Sequence, residues 1–373
     1  MSTTEGTEGR IQKVFDEAWK EYAAHERTLD ALAALSFILA NVREIHDETL
    51  AHDFRPRITP HSSDAEPYTP DGLIWQKPSY SFLLELKASW NLTDVAQIIK
   101  YAKSPGYQKG NTSQPFADNH CVLLGYQNTP GDADLDKLFD EWQKESFPFP
   151  LVVFHYGLEV AAGGHRILFS RIAYARNGVC PASSLGKAMN AARGVTVSVE
   201  RAKFERSRFH KANDQALPSY AAVLWWTTYA NHYLTEEQKI EMAASGRLST
   251  PLIIPPDRLN EVPDIGGVDV PLTSKDIRRA LEFLSQTGLV ILKKRKKQFE
   301  VKLKDDRHIR FPLGTLAAGF TNHQDTATKI IARWAAHKVK HPAPERRVAK
   351  RPRKAPGRRA RDTRTLPLFP GSS

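Results

Sequence analysis

The stretch Thr69–Ala102, TPDGLIWQKPSYSFLLELKASWNLTDVAQIIKYA, decides how this chain is read. Two apolar runs, Gly72 to Trp75 and Ser81 to Ala88, predict two strands that pair as a hairpin. Alternate side chains of a strand share a face, so Glu85 and Lys87 point one way and Leu86 the other. Hairpin pairing sets Asp71, at the start of the first strand, beside Glu85. Two carboxylates and one ammonium then meet at the edge of an apolar sheet. Paired carboxylates suit magnesium (Mg²⁺) or manganese (Mn²⁺), hard ions that take oxygen ligands. A lysine beside them orients a water, lowers its pKa or stabilises charge on a phosphoryl group. These are the parts needed to hydrolyse a phosphodiester, with Asp71, Glu85 and the Leu86 carbonyl on the metal and Lys87 at the attacking water.

Outward from the hairpin, Arg10 to Glu26 and Leu29 to Leu50 are rich in Ala, Leu, Glu and Lys and read as helices. Downstream come a helix, Thr93 to Ala102, a strand, Cys121 to Tyr126, a helix, Leu135 to Lys144, and two strands, Leu151 to Tyr156 and Arg166 to Tyr174. That order predicts an α/β domain on a mixed sheet over residues 1–178. Residues 179–217 are polar and basic and read as a connector with helical content. In 218–337 an aromatic helix, Tyr220 to Leu234, precedes a helix capped by Thr235 and a Pro/Gly-rich loop, Pro251 to Pro271. The helix Lys275 to Gln286 follows, capped by Thr273 or Ser274 and stopped by Gly288, and then two strands, Leu289 to Lys293 and Gln298 to Lys304. Residues 338–373 are rich in Pro, Arg and Lys without apolar periodicity and are expected to be disordered.

Charge placement names the partner. The net charge of +11 is carried by the end of the chain: 338–364 holds twelve Lys/Arg against Glu345 and Asp362. A second basic run, Lys293 to Lys304, has seven Lys/Arg and one acid, whereas 1–72 has fourteen acids and seven Lys/Arg. An acidic start with two basic runs later predicts a polyanion, nucleic acid, engaged from the C-terminal side. Two cysteines, Cys121 and Cys180, exclude a disulfide scaffold and a four-thiolate zinc site and point to a reducing, cytoplasmic compartment. The polar start MSTTEGTEGR is no signal peptide, and no run is apolar enough to predict a membrane span. His46, His52 and His61 lack metal-ligand spacing, Cys121 reads as core, and no Gly-rich Lys-Ser/Thr loop predicts ATP use.

Pro70-Asp71, thirteen intervening residues and Glu85-Leu86-Lys87 together resemble the motif of the PD-(D/E)XK, restriction-endonuclease-like nuclease superfamily. The resemblance implies a core of helix, three-stranded meander, helix and strand, found here from Val42 to Tyr126. It implies a metal-dependent DNA endonuclease. Many members carry a glutamate on the first core helix, which makes Glu44 and Glu48 further candidates for the metal, the sequence not choosing between them. Many follow the lysine with a helix bearing Gln and Tyr, which Gln97 and Tyr101 match. A second acid-x-Lys, Glu300-Val301-Lys302 downstream of Pro263-Asp264, serves as an internal control: the helix Lys275 to Gln286 lies between, so no hairpin pairs its two halves.

The segment Thr273 to Phe311 resembles a winged helix, which implies a helix in the major groove and a hairpin tip on the phosphate backbone. Lys275, Arg278 and Arg279 fall on the exposed side of that helix, and Lys294, Arg295, Lys296 and Lys297 form the tip. Near the end, Thr365-Leu366-Pro367-Leu368-Phe369 resembles the bacterial sliding-clamp-binding motif; Leu366, Leu368 and Phe369 match, and Thr365 stands where glutamine is usual. The expectation is a restriction-endonuclease-like core, a winged-helix-like domain and a basic tail, acting in defence against foreign DNA. The alternatives are a nuclease of repair, recombination or transposition, and a catalytically silent winged-helix DNA-binding or regulatory protein. RNA is an alternative substrate, and a homodimer is compatible with a sequence that does not give the oligomeric state.

Overall fold

The computed structural model describes residues 6–56, 58, 68–109, 112–174, 182–191, 194–206, 208–209, 211, 215–245, 248–249, 252–254, 258, 272–295, 298–303 and 323–342. A proline-free run rich in Ala, Leu, Glu and Lys forms one long helix, α1 (Thr7–Asn41). The two helices expected from Arg10 to Glu26 and from Leu29 are therefore one. The two residues between them, Arg27 and Thr28, are helical and partly or fully buried rather than a break. The helix expected as far as Leu50 ends early. Val42 is extended, α2 (Arg43–Glu48) adds one short turn, and Thr49–Phe54 is strand β1. Residues in β1 gain ladder hydrogen bonds from β2 (Gly72–Gln76), and that pairing overrides the helical pattern.

β2 pairs antiparallel with β3 (Tyr80–Lys87), Gly72 opposite Leu84, so the hairpin forms as its spacing predicts. Helix α3 (Leu92–Ala102) follows, opened by a capping box between Asn91 and Asp94. Such a cap contributes about 1 kcal/mol. After a small hairpin, β4 (Gly106–Lys109) and β5 (Thr112–Pro115), come β6 (Asn119–Tyr126), α4 (Asp132–Lys144), β7 (Leu151–Ala161) and β8 (Gly164–Tyr174). Helix α5 (Ser184–Asn190), β9 (Val195–Ser198) and α6 (Val199–Arg206) fill the stretch read as a connector. The strands form one seven-stranded sheet curled into a half-barrel, in the order β1-β2-β3-β6-β7-β8-β9. It is mixed, β3–β6 and β6–β7 being parallel.

Both faces of the sheet are covered, so its central strands are apolar without alternation. Leu83, Val122, Leu124 and Val153 pack under α3 and α4; Phe82, Leu84, Leu123 and Phe154 face the other core, to which α1 contributes. The rest of the chain adds α7 (Pro218–Thr227), α8 (Glu236–Ser245), β10 (Ile253–Ile254), α9 (Ser274–Gln286), β11 (Val290–Arg295), β12 (Gln298–Leu303) and α10 (His323–Lys340). The last three strands make an antiparallel sheet in the order β10-β12-β11. Helix α1 packs against α6, α7 and α10 as well as the large sheet. Trp225 of α7, Leu281 of α9 and Ile330 of α10 therefore share one continuous core with Leu29 and Leu32 of α1. Among the described residues no helix is long and apolar enough to cross a membrane.

Candidate active site

β2 and β3 set the acidic pair. The Asp71 carboxylate, one residue ahead of β2, accepts the backbone N–H of Leu86 through Oδ2 at 2.7 Å. That bond locks the start of β2 to the end of β3 and holds Asp71 beside Glu85. Lys87 Nζ lies 2.7 Å from Glu85 Oε1 and 3.8 Å from Asp94 Oδ1. Helix α3 lays Gln97 across this pair. Its Oε1 accepts from Lys87 Nζ at 2.7 Å, and its Nε2 donates to Glu85 Oε1 at 3.1 Å and contacts the Tyr101 hydroxyl. Glu85, Lys87, Gln97 and Tyr101 thus form one hydrogen-bonded cluster, with Asp71 beside it.

Burial shifts the titration of this cluster. Desolvation, reinforced by Glu85, holds the Asp71 carboxyl well above the usual carboxylate range, against the Leu86 N–H and Lys87. Desolvation also raises Glu85, opposed by Lys87. Burial alone would lower the Lys87 ammonium; the Glu85 carboxylate outweighs it and the net shift is upward. Lys87 therefore keeps its proton at neutral pH. Glu85 Oε2 is buried and makes no hydrogen bond of ordinary geometry, the Asp71 backbone N–H giving the carboxyl only partial relief. An orphaned carboxylate oxygen beside a second buried carboxylate is expensive unless a cation meets it.

The cluster opens on a cavity of about 1300 Å³. Its floor is the end of the β2–β3 hairpin with Gln97 and Lys100 of α3. Its far wall is the N-terminal half of α1, with Glu17, Lys20, Glu21 and His25, and Arg279 of α9 also lines it. The His25 ring is lowered to about 4 by burial and by Arg206, so it is neutral at physiological pH. Behind it, Arg206 pairs with Asp30 and lies 2.9 Å from Glu26. Tyr156 ties the wall to the site: its hydroxyl meets Thr28 Oγ1 at 3.1 Å and donates to the Lys87 carbonyl at 3.2 Å.

Glu44 and Glu48 are not brought to the pair. Glu44 is exposed, and Glu48 accepts the Ser184 N–H at 2.7 Å, capping α5, which lowers its pKa. The reason is β1. It lies antiparallel along β2, with Thr49 opposite Gln76, so α2 sits at the hairpin-turn end, and the Lys77 N–H donates to the Glu48 carbonyl. Asp71 lies at the other end of β2, about 20 Å away at the rise of a strand. The acids that a first helix gives this cavity are Glu17 and Glu21 of α1, which the sequence reading passed over. Arg55 was passed over as well, since nothing local marks it. Lys275 and Arg278 lie exposed on α9, whereas Arg279 turns to the cavity. The side chains of Lys294 and Arg295, the residues Lys296, Lys297 and Pro263-Asp264, and the tail with Leu366, Leu368 and Phe369 lie outside the described residues.

Among the described residues no group of three His, Cys, Asp or Glu side chains is placed to hold a metal ion. A pair suffices for Mg²⁺, which usually takes one or two carboxylates and completes its shell with water and substrate phosphate. The orphaned Glu85 Oε2 and its buried neighbour Asp71 fit that donor set. No family model, no curated protein and no solved structure matches the chain.

Proposed function

We propose that the chain is a metal-dependent nuclease that hydrolyses phosphodiester bonds in DNA. One observation carries the reading: an unmet carboxylate oxygen, a second buried carboxylate and a protonated lysine gather at the open end of one hairpin. Asp71 and Glu85 would hold Mg²⁺ or Mn²⁺, with the Leu86 carbonyl between them. Such an ion supplies Lewis-acid activation of phosphate and water. The chain's own groups do the rest. Lys87, whose pKa the Glu85 carboxylate holds up, serves as a donor. It donates a hydrogen bond to the attacking water or to a phosphate oxygen as negative charge grows there. Gln97 fixes the Lys87 ammonium against Glu85, so that the donor is aimed before substrate arrives. Water adds to phosphorus and gives up a proton to solvent, the bond to the leaving sugar oxygen breaks, that oxygen takes a proton from solvent, and a phosphate monoester and a hydroxyl remain.

Two features favour DNA as the substrate. Among the described residues α9 leads into the antiparallel pair β11 and β12, the helix-and-two-strand order on which the winged-helix resemblance of Thr273 to Phe311 rests. Lys275 and Arg278 stand exposed on α9, and the sequence between Lys293 and Lys304 is strongly basic. Defence against foreign DNA remains our reading of the biological role, on analogy with restriction enzymes. The test is nicking of supercoiled plasmid. Cleavage with Mg²⁺ or Mn²⁺ that stops with EDTA and with Glu85→Gln supports the reading. Absence of cleavage on plasmid, single-stranded DNA and RNA with either ion overturns it.

A further inference from the structure

The floor of the cavity carries two buried carboxylates, and a phosphate set across them needs cations beside the pair. Two arginines reach the cavity from distant parts of the chain. Arg55 follows β1, and its backbone N–H donates to the Asp71 carbonyl at 3.0 Å, which places it against the pair. Arg279 comes from α9 and is held at its rim, Nη1 donating to Gln215 Oε1 at 3.0 Å and approaching the Ala216 carbonyl at 3.4 Å. Both side chains are half-buried, unlike the exposed Lys20 and Lys100 of the same cavity. A guanidinium offers a planar fork that matches a phosphate in a way an ammonium does not.

The Arg55 backbone adds a second observation. Its φ is 61°, in the left-handed region that favours glycine. Pro56 follows, and a residue before proline prefers the extended region, which adds to the strain. Glycine or asparagine would occupy the position more easily. Strain of this kind gathers where a side chain is in use.

We infer that Arg55 and Arg279 grip the substrate phosphates on either side of the scissile bond, so that α9 serves the cleavage centre directly and not only as a docking helix. The inference rests on the nuclease reading of the same site. The grip sets the phosphodiester across Asp71 and Glu85 with its leaving oxygen fixed in direction. It also makes cleavage depend on two segments that lie more than two hundred residues apart.

The test separates the grip from the chemistry. Binding of a fluorescein-labelled DNA oligonucleotide is measured by anisotropy across a salt series in EDTA, for wild type, Arg55→Gly, Arg55→Asn, Arg279→Gln, Arg279→Lys and the Arg55→Asn/Arg279→Gln pair. Each loss of charge should weaken binding and flatten the slope of log K against log salt by about 0.7–0.9, the double variant by about twice that. Arg279→Lys should restore the slope, and Arg55→Gly should melt no lower than wild type. Unchanged affinity and slope in Arg55→Gly and Arg279→Gln overturn the grip even if the protein cuts DNA. A lowered melting temperature for both Arg55 variants overturns the role of Arg55, because the side chain then serves the fold. If the slopes change as expected but wild type cuts nothing in Mg²⁺, the grip stands and the hydrolytic reading falls.

Discussion

The chain places an acid, an apolar residue and a lysine in a strand twice, as Glu85-Leu86-Lys87 in β3 and as Glu300-Val301-Lys302 in β12. Leu86 and Val301 are both buried, so each strand turns its middle residue inward. The surroundings differ. β3 lies third in a seven-stranded sheet, antiparallel to β2 and parallel to β6. β12 is the centre of a small antiparallel sheet, where Glu300 sits opposite Lys293 and Lys302 opposite Ile253 and Ile291. At β3 a carboxylate from the neighbouring strand closes on the backbone of the middle residue, and a helix lays a glutamine between acid and lysine. The tripeptide is common to both; the site comes from the second strand and the covering helix.

The largest expected effect separates the two copies. Lys87→Ala should bind DNA but cut it about 10²–10³-fold more slowly, the usual loss when one preorganised donor is removed. Glu300→Gln should cut at the wild-type rate. Equal rates for Lys87→Ala and wild type, or a matching loss in Glu300→Gln, would erase the distinction.

A smaller effect concerns stability. Asp71 and Glu85 are raised by burial, so the folded state holds their protons more tightly than the unfolded chain does. Such groups favour folding below the ordinary carboxylate pKa of about 4. That contribution is lost as pH rises through the elevated folded values. At pH 7 to 8 the pair is therefore a burden on the apo fold. Asp71→Asn, which still has an oxygen for the Leu86 N–H, should raise the melting temperature by roughly 2 °C for each kcal/mol recovered. The gain should shrink toward pH 4. Mg²⁺ at about 100 times its Kd should stabilise wild type by about 2.7 kcal/mol and leave Asp71→Asn unmoved. A variant that melts below wild type at pH 7.5, or responds equally to Mg²⁺, would contradict this account.

The smallest effect falls on Glu48. Its carboxylate caps α5, so Glu48→Ala should cost about 1 kcal/mol in urea unfolding. Its cleavage rate should not change. Loss of Mg²⁺ dependence in that variant would return Glu48 to the metal site.

Much of this site was legible because it is local. Asp71, Glu85, Lys87 and Gln97 lie within twenty-seven residues, and alternation along a strand with i, i+4 spacing along a helix places them without knowledge of the rest. The α/β class and the mixed sheet were legible for the same reason, since each apolar run stands between clear breaks. What failed was long-range. Thr49–Phe54 became a strand only because β2 offered it an edge. The break expected at Arg27 and Thr28 is absent from α1, and the polar residues around it, His25 to Thr28, find partners in Tyr156, Arg206 and Tyr220, more than a hundred residues on. Glu44 and Glu48 were candidates only through the resemblance, and β1 sets them at the other end of the hairpin from Asp71.

Helix α1 has a consequence for modularity. At 1.5 Å per residue its 35 residues reach about 52 Å, long enough to serve as the shared spine of the molecule. Leu29, Leu32 and Leu35 are buried in the core that the sheet shares, Thr28 meets Tyr156 of β7, and Tyr22 meets Tyr220 of α7 at 6.1 Å between rings. A chain knit this way has no seam. Cutting it after residue 178 would leave one flank of α1 bare and apolar, so the hairpin bearing the carboxylates is not a cassette that can be lifted out and grafted. Heat should reach the whole at once, giving one calorimetric peak in place of two, because the spine cannot melt on one side and remain folded on the other.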